Sequence, residues 1–440
     1  MNIKQAKEEI KHTVRAYLAK DAAGRYRIPA VRQRPVLLMG PPGIGKTQIM
    51  EQIASELKIG LVSYTITHHT RQSAVGLPFI REEEFDGRAC SVTEYTMSEI
   101  IASVYRKIRD GGQREGILFI DEINCVSETL APTMLQFLQC KTFGNQAAPQ
   151  GWLIVAAGNP PEYNKSVRDF DMVTLDRVRY MTVEADFSVW KEYAGERGIC
   201  GAVMSYLELR PQNFYRVETD VDGMKFVTAR GWEDMSNLMS VYEELGLPVN
   251  EEVVRGFVHH DDVAEDAAAY FDLYQKYRDD YGIPELLRGR VKPAVYARID
   301  AAAFDERLAV VNLLLDGLRG YFKKSATERE RTDAMYAALK DAAGETADRA
   351  SERAAFERQL NLLEASEQET LGAVEYAFDF MERAFLNGQE MVVFVTELAM
   401  DSAAALFLAE HACERYTRYG AELLIGTKKA ELLSEIERNL

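Results

Sequence analysis

The chain has 440 residues, a length that predicts about two to four domains. Hydrophobic residues make up 47% of it, the share of an ordinary globular protein, which excludes wholesale disorder. Its formal net charge of −17 disfavours nucleic acid and anionic membranes as binding partners.

The charge is spread unevenly. Residues 1–34 hold nine Lys or Arg and three Asp or Glu, so this segment carries +6 and the remainder −23. The five cysteines are widely spaced and form no Cys-x-x-Cys pair, which argues against a disulfide framework and a zinc ribbon. The first residues have no apolar signal core, and no window approaches 18 uncharged apolar residues. We therefore expect a cytoplasmic protein in a reducing compartment.

Between residues 3 and 187, helical and strand patterns alternate. Apolar residues at helical spacing predict helices over 3–18 and 46–57, and the apolar run 35–39 before a group of glycines predicts a buried strand. Further strands are expected at 61–67, 117–120, 152–157 and 180–183, and further helices at 97–108 and near 128–139. This alternation predicts an α/β fold with a parallel sheet covered by helices on both faces.

Beyond residue 187 the pattern is almost entirely helical. Residues 326–370 are rich in Ala, Glu and Arg and predict a helical hairpin. The glycine and proline at 282–284 and the proline at 293 mark candidate joints between a middle and a C-terminal helical part.

Residues 40–47 read Gly-Pro-Pro-Gly-Ile-Gly-Lys-Thr and match the phosphate-binding pattern G-x4-G-K-[ST] in full. Glycines let successive backbone N–H groups face the phosphates, and the positive end of the following helix adds to the attraction. Lys46 is expected to reach the β- and γ-phosphates, and the Thr47 hydroxyl to bind Mg²⁺. The predicted nucleotide contacts in and beside this loop are Gly40, Pro41, Pro42, Gly43, Ile44, Gly45, Lys46, Thr47 and Gln48.

Two adjacent carboxylates, Asp121 and Glu122, follow the apolar run at 117–120. The end of a buried parallel strand places such residues at the sheet edge, beside the phosphates. Asp121 is expected to bind nucleotide and Mg²⁺ together with Thr47. Glu122 is expected to orient and polarise the attacking water.

Three further stretches follow these two motifs in order. They are Ala157-Gly158-Asn159-Pro160, Thr174-Leu175-Asp176-Arg177 and Thr228-Ala229-Arg230-Gly231-Trp232. With the phosphate loop and Asp121-Glu122-Ile123-Asn124, they make residues 27–230 resemble the AAA+ ATPases, and within them the MoxR-like group. The phosphate loop alone indicates only a P-loop NTPase, whereas the later motifs are much more specific.

The resemblance implies a fold, a domain order and an activity. The fold is α/β, a P-loop AAA+ core with a parallel sheet between helices, followed by an all-helical lid and a C-terminal helical domain. The expected domains are an N-terminal helix at 1–24, the large nucleotide-binding domain at 25–187, the helical lid at 188–284 and the C-terminal helical domain at 285–440. The activity is hydrolysis of ATP to ADP and phosphate, with Mg²⁺ as cofactor.

The resemblance also gives roles to two polar residues. Asn159 matches sensor 1, which lies between the acidic pair and the nucleotide and helps to place the water. The alternative for Asn159 is an Asx-turn before Pro160 and Pro161. Arg230 matches sensor 2, which heads a lid helix and reaches the γ-phosphate. The alternative for Arg230 is an arginine that only begins a helix.

In this family the arginine of Leu-Asp-Arg is a finger that enters a neighbouring subunit's site, and here it is Arg177. A guanidinium suits the task because it stays charged and offers forked donors. This chain reads Leu-Asp-Arg-Val-Arg-Tyr where the family has Leu-Asp-Arg-Phe, so Arg179 is a rival. Either arginine could instead be a surface salt-bridge partner. A finger in trans requires an oligomer, and the resemblance implies a ring, expected to be a hexamer.

Two segments lie where MoxR-like proteins carry hairpins that face the pore or a client. They are 70–95, in which Phe85-Asp86-Gly87 predicts a hairpin turn, and 141–151. The alternative is ordinary loops at a sheet edge. The C-terminal helical part is expected to dock a client or partner, or only to stabilise the ring.

MoxR-like relatives act as chaperones that mature or activate partner complexes, often with a von Willebrand factor A-domain protein. No Asp-x-Ser-x-Ser metal site occurs in this chain, so such a partner would be a separate polypeptide. We therefore expect a remodelling ATPase with a protein client and no membrane or nucleic-acid partner. Two other classes stay open, a nucleic-acid-directed AAA+ ATPase (a loader or defence component) and a structural switch with little turnover.

Overall fold

The computed structural model describes residues 1–68, 70–143, 146–163, 167, 170–220, 223–341, 348–385 and 388–421. The chain divides into two compact units. Met1–Val189 with Thr228–Arg230 form the first, and Trp190–Val227 with Gly231–Leu440 form the second. Within the described ranges, no single helix is long and apolar enough to cross a membrane. One helix pair bent by 91°, Gln389–Met400 with Ser402–Glu410, passes that test by length and composition.

The first unit is built on a parallel sheet. Its strands are β1 (Val36–Met39), β2 (Gly60–Thr65), β3 (Pro78–Phe85), β4 (Arg88–Tyr95), β5 (Gly116–Asp121), β6 (Thr142–Phe143), β7 (Gln146–Ala147), β8 (Trp152–Gly158) and β9 (Arg179–Thr182). Five of them form one sheet in the order β2-β5-β8-β1-β9, and every neighbouring pair is parallel. This arrangement confirms the predicted parallel α/β fold.

Helices flank this sheet. They are α1 (Ile3–Leu18), α2 (Lys46–Leu57), α3 (Arg71–Val75), α4 (Glu99–Gly111), α5 (Ala131–Cys140), α6 (Met172–Leu175) and the first part of α7 (Phe187–Arg197). Strands β1 and β8 lie in the interior of the sheet and are buried along their whole length. Such burial is expected of parallel strands that are covered on both faces. Leu37, Leu118 and Ile154 of the sheet share one core with Ile101 of α4 and Phe137 of α5.

Helix α1 is fixed to the rest of the first unit at several points. Asn2 caps its first turn in a reciprocal pair of hydrogen bonds with Gln5, and Ile10 lies buried on its inner face. Lys11 pairs with Glu56 of α2 at 2.5 Å. Hydrogen bonds from the neighbouring lysines lower the pKa of Glu56 to about 2. Lys11 is partly exposed and Glu56 is exposed, so the contribution of the pair to stability is small.

Three strands begin at the same level of the sheet, and only one of them contributes a side chain there. In the sheet register Gly60 of β2 pairs with Gly116 of β5, which pairs with Trp152 of β8. A β-carbon on Gly116 would lie 2.8 Å from the indole of Trp152 and 2.6 Å from the carbonyl oxygen of Gly60. On Gly60 it would lie 2.7 Å from the same indole. The two glycines therefore leave the space that Trp152 fills.

Two antiparallel hairpins occupy the segments where insertions were expected. Strands β3 and β4 pair around Asp86 and Gly87, both with positive φ, which confirms the predicted turn. Most of this hairpin is exposed, including Phe79 (42%), Ile80 (77%) and Phe85 (52%). Strands β6 and β7 form a shorter hairpin, whose residues 144 and 145 lie outside the described part of the chain.

The second unit is largely helical. Its elements are the rest of α7 and α9 (Ala229–Leu245), with α8 (Gly201–Leu209), α10 (Glu251–Arg255), α11 (Asp261–Tyr281), α12 (Ile283–Leu286), α13 (Pro293–Ala301), α14 (Phe304–Asp341), α15 (Asp348–Phe385), α16 (Gln389–Met400), α17 (Ser402–Glu410), β10 (Arg216–Asp220) and β11 (Gly223–Val227). Helices α14 and α15 form the predicted helical hairpin. Helices on both sides of residue 284 belong to this one unit, and the expected four-domain division stays a prediction.

The lid segment is not helical throughout, because β10 and β11 form an antiparallel hairpin within it. The sequence contained the signal. Residues 216–220 and 224–226 alternate between polar and β-branched or apolar side chains, the period of a strand. The helical pattern on both sides of this short stretch concealed it.

The Trp152 contact generates a stability prediction. Gly116→Ala should lower the free energy of unfolding by about 1–3 kcal/mol, because the new methyl group forces the indole or the neighbouring strand to move. Gly111→Ala is the matched control, since Gly111 ends α4 and, outside its own helix backbone and chain neighbours, the nearest described atom to the new methyl group is Oε1 of Gln113 at 3.7 Å. The control should be neutral or slightly stabilising. Urea unfolding followed by circular dichroism measures the stability of both variants. Equal midpoints would show that the packing of the Trp152 indole does not require glycine at position 116.

Candidate nucleotide-binding and hydrolysis site

The phosphate loop, the acidic pair and Asn159 meet where three adjacent parallel strands end. The chain leaves β1 at Met39 into the phosphate loop, β5 ends at Asp121, and β8 ends at Gly158, directly before Asn159. Because β5, β8 and β1 are neighbours, their carboxyl ends lie side by side at one edge of the sheet. This edge is where open α/β sheets bind their ligands.

The phosphate loop has the backbone that its glycines predict. Gly43 and Gly45 have φ angles of 75° and 89°, in the left-handed region that side chains disfavour. Gly45 is the N-cap of α2, which begins at Lys46. The N–H groups of the first turn and the positive dipole end of that helix therefore lie at the loop. Gly40 is confined for another reason, since a β-carbon there would lie 2.8 Å from the carbonyl oxygen of Val183.

Lys46 is buried at the centre of the site, with 8% of its surface exposed. Its Nζ donates to the carbonyl oxygens of Gly40 and Pro41, each at 2.7 Å, and to Oδ1 of Asn159 at 2.8 Å. Burial lowers the pKa of Lys46 to about 8. The carboxylates of Asp121 and Glu122 oppose this shift, and the charge of Arg230 adds to it.

Thr47 and Asp121 lie together as an oxygen-rich pair. Thr47 Oγ1 donates to Asp121 Oδ2 at 2.8 Å, and the other carboxylate oxygen accepts from the backbone N–H of Glu122 at 2.9 Å. A hydroxyl and a carboxylate are the oxygen ligands that Mg²⁺ takes beside nucleotide phosphates. The residues present therefore fit the predicted metal.

Glu122 is placed by an unusual backbone and by a neighbour that the sequence reasoning missed. Its φ of 57° lies in the left-handed region, which turns the chain out of the sheet directly after β5. Its Oε2 accepts a hydrogen bond of 2.8 Å from Thr67 Oγ1. The signal for Thr67 lies in the strand register and not in a local motif. In the sheet Thr65 pairs with Asp121, so Thr67 follows β2 at the level just beyond the acidic pair.

Asn159 is held through both its side chain and its backbone. Its Oδ1 accepts from Lys46, while its backbone exchanges two hydrogen bonds with the side chain of Asn124. The alternative of an Asx-turn fails on chemistry, because such a turn needs the N–H two residues on and that residue is Pro161. The sequence motif indicates no separate function for Asn124.

Arg230 lies beside the phosphate loop, within the first unit. A β-carbon on Gly43 would stand 3.3 Å from Cβ of Arg230 and 3.3 Å from Cβ of Thr228. The segment that begins α9 thus packs against the loop, although Thr228 lies 185 residues after Gly43 in the chain. Arg230 is exposed, and its sensor role stays a prediction.

The two rival arginines have different surroundings. Arg179, on β9, donates to Glu9 and Thr13 of α1 and is bound to its own chain. Arg177 is exposed, and its guanidinium donates to the neutral amide oxygen of Gln139 on α5. Which of them serves as a finger stays a prediction.

Fold and site together define a P-loop nucleotide-binding domain. In addition, residues 36–173 match the family model described as "ATPase family associated with various cellular activities (AAA)". The matched segment contains the phosphate loop, the acidic pair and Asn159, and the match supports an ATPase domain of the AAA+ type; Arg177 and Arg230 lie beyond it. Proteins of this family commonly form ring oligomers. No curated protein matches the chain.

The buried ammonium predicts how affinity for ADP depends on pH. Below about pH 8 Lys46 is charged and attracts the phosphates, while above it the free protein loses this proton and binding must restore it. Affinity should fall roughly fivefold between pH 8 and pH 9. Since the pKa of the unfolded chain is higher, the unfolded state binds more protons in this window, so the contribution of Lys46 to stability rises with pH.

Titration of a fluorescent ADP analogue between pH 6.5 and 9.5 measures this dependence. Circular dichroism at each pH confirms that the protein stays folded. Adenosine, which lacks phosphates, is the matched control ligand and should show no such loss. An affinity for ADP that stays constant up to pH 9.5 would contradict the lowered pKa.

Proposed function

We propose that the protein is a MoxR-like AAA+ remodelling ATPase, a chaperone that uses ATP hydrolysis to mature or activate a partner protein complex. The observation that carries the ATPase part is the meeting of Lys46, Thr47, Asp121, Glu122 and Asn159 at one sheet edge. These residues supply the charge, the metal ligands and the water-positioning carboxylate that phosphoryl transfer needs. The match to the AAA family supports the same reading.

Each residue of the site has a place in the hydrolysis of ATP. Loop N–H groups and Lys46 bind the phosphates. Thr47 and Asp121 hold Mg²⁺, which neutralises phosphate charge when bound. Glu122 orients the attacking water and polarises it, and Asn159 fixes the water from the side of Lys46. Arg230 adds positive charge near the γ-phosphate. In this scheme the contact with Thr67 competes with the water for Glu122 and limits turnover.

The neighbouring subunit supplies the remaining charge. We assign the finger to Arg177, because it is exposed and its hydrogen-bond partner Gln139 is neutral. Moving Arg179 would break its ion pair with Glu9. A finger in trans requires a ring of copies of this chain, and we propose a cytoplasmic hexamer.

The proposed client is a protein. The hairpin of β3 and β4 presents exposed Phe79, Ile80 and Phe85, which offer apolar contacts to a polypeptide. A von Willebrand factor A-domain protein, encoded separately, is the proposed partner, and the C-terminal helices are its proposed docking part. The MoxR-like assignment itself rests on the order of the motifs at Asp121-Glu122-Ile123-Asn124, Asn159 and Arg177.

Mixing two inactive variants tests the finger. Arg177→Ala and Glu122→Gln should each reduce turnover by about 10³-fold or more when alone. In mixed rings an Arg177→Ala subunit keeps its own Glu122 and receives Arg177 from a Glu122→Gln neighbour, so activity should return. The control mixture combines Arg179→Ala with Glu122→Gln. Arg179→Ala should retain turnover even when it is assayed alone. Mixtures that stay inactive, although mixed rings are shown by mass spectrometry, would remove Arg177 as a finger in trans.

Capture with the stalled enzyme tests the client. Glu122→Gln should bind ATP without hydrolysing it and retain its client, whereas the double variant Lys46→Ala, Glu122→Gln should retain none because its ATP binding is lost. Proteins held from a lysate of the source organism are identified by mass spectrometry. An ATP-dependent, stoichiometric protein with a von Willebrand factor A domain supports the proposal. Nuclease-sensitive material in its place contradicts it and favours the nucleic-acid-directed class.

A further inference from the structure

The turn that follows β5 is joined to the end of β8 beyond the last residue of the strand. Left-handed Glu122 turns the chain, and Cys125 N–H donates back to the Glu122 carbonyl oxygen at 2.9 Å. Within this turn Ile123 N–H donates to the Ala157 carbonyl oxygen, also at 2.9 Å. Beyond Asp121 the backbones of the two segments are therefore joined by this one further hydrogen bond, because β5 has ended and the chain turns away.

The side chain of Asn124 supplies the next step. Its Nδ2 donates to the carbonyl oxygen of Asn159 at 2.7 Å, and its Oδ1 accepts from the N–H of Asn159 at 3.3 Å. A carboxamide carries the same donor and acceptor as a peptide group. Asn124 is 3% exposed, so neither group can be satisfied by bulk water instead.

Gly158 makes room for this amide. A β-carbon on Gly158 would stand 2.5 Å from Oδ1 of Asn124. It would also lie 2.9 Å from the sulfur of Met39, the last residue of β1. Glycine is thus required at position 158 for a steric reason that does not involve nucleotide. We call Asn124 and Gly158, which join the turn after β5 to the end of β8, the junction.

The junction fixes the residue that contacts the buried ammonium. Asn159 is held at both its N–H and its carbonyl by Asn124, and its Oδ1 is thereby aimed at Lys46 Nζ, 2.8 Å away. Because Asn124 is two residues after Glu122, the same junction ties the water-orienting carboxylate to the phosphate-binding lysine. Displacements of about 1 Å in such a constellation can reduce turnover by about 10²-fold.

We propose that Asn124 is a positioning residue for ATP hydrolysis, which sets the relative placement of Glu122 and Asn159 without touching nucleotide. This inference rests on the ATPase part of the proposed function and is independent of the client. Aspartate at this position would keep the acceptor and lose the donor. Alanine would lose both and leave the Asn159 peptide group unsatisfied.

Steady-state kinetics test the proposal. Asn124→Ala, Asn124→Asp and Gly158→Ala should lower kcat about 10- to 100-fold, while KM for ATP and the Kd for ADP change less than about threefold. Asn213→Ala is the matched control. Asn213 is also buried, and its Nδ2 donates to Tyr206 in the second unit, so the variant should lose stability without losing kcat. Unchanged kcat in Asn124→Ala, or equal losses of kcat in the Asn213 control, would overturn the positioning role.

Hydrogen exchange gives a readout that does not depend on turnover. In Asn124→Ala the amide of Asn159 should exchange at least tenfold faster, whereas amides of β10 and β11 should not change. If a folded variant kept wild-type exchange at Asn159, the junction would be refuted even if the kinetics changed. If the wild-type chain hydrolysed no ATP but exchange at Asn159 rose as expected, the junction would stand and the proposed ATPase would fail.

Discussion

A buried ammonium group imposes the main constraint on this site. Removing a charge from water is unfavourable unless nearby oxygen atoms replace the lost solvation. For Lys46 these oxygens come from the phosphate loop after β1 and from Asn159 after β8. The two strands must therefore be neighbours, run in the same direction and end at the same level, as they do in the sheet. Asp121 and Glu122 lie near the phosphate loop because β5 lies on the other side of β8.

The parts of the site that lie on short continuous motifs could be predicted from the sequence. A glycine loop, a buried strand and a helix start each have a local signal, so the sequence directly indicates Lys46, Thr47 and Asp121 as candidates. The parallel sheet followed from the alternation of strands and helices. The secondary structure of the second unit is harder to predict. Propensity there is weak, and β10 and β11 are each only five residues long.

Contacts between segments distant in the chain could not be predicted in this way. Thr67 meets Glu122 across 55 residues, and Asn124 meets Asn159 across 35. Neither Thr67 nor Asn124 has a local pattern that distinguishes it from other polar residues at strand ends. Strand register decides both contacts, and register is set by the packing of the whole sheet. The motif alone does not distinguish Arg177 from Arg179 either. Their surroundings differ because α1 lies beside Arg179 and supplies its partners Glu9 and Thr13.

The placement of the tryptophans gives this chain separable optical signals. Of the three, Trp152 belongs to the first unit, while Trp190 and Trp232 belong to the second. All three are buried, but Trp232 donates its indole N–H to backbone carbonyls, whereas Trp152 has no hydrogen-bond partner for its own among the described residues. Emission from the two units should therefore differ in wavelength, because indole fluorescence responds to local polarity. Replacing the tryptophans of one unit with phenylalanine would leave the tryptophans of the other unit to report the unfolding of that unit. Trp152 would report it from the end of the sheet opposite the phosphate loop.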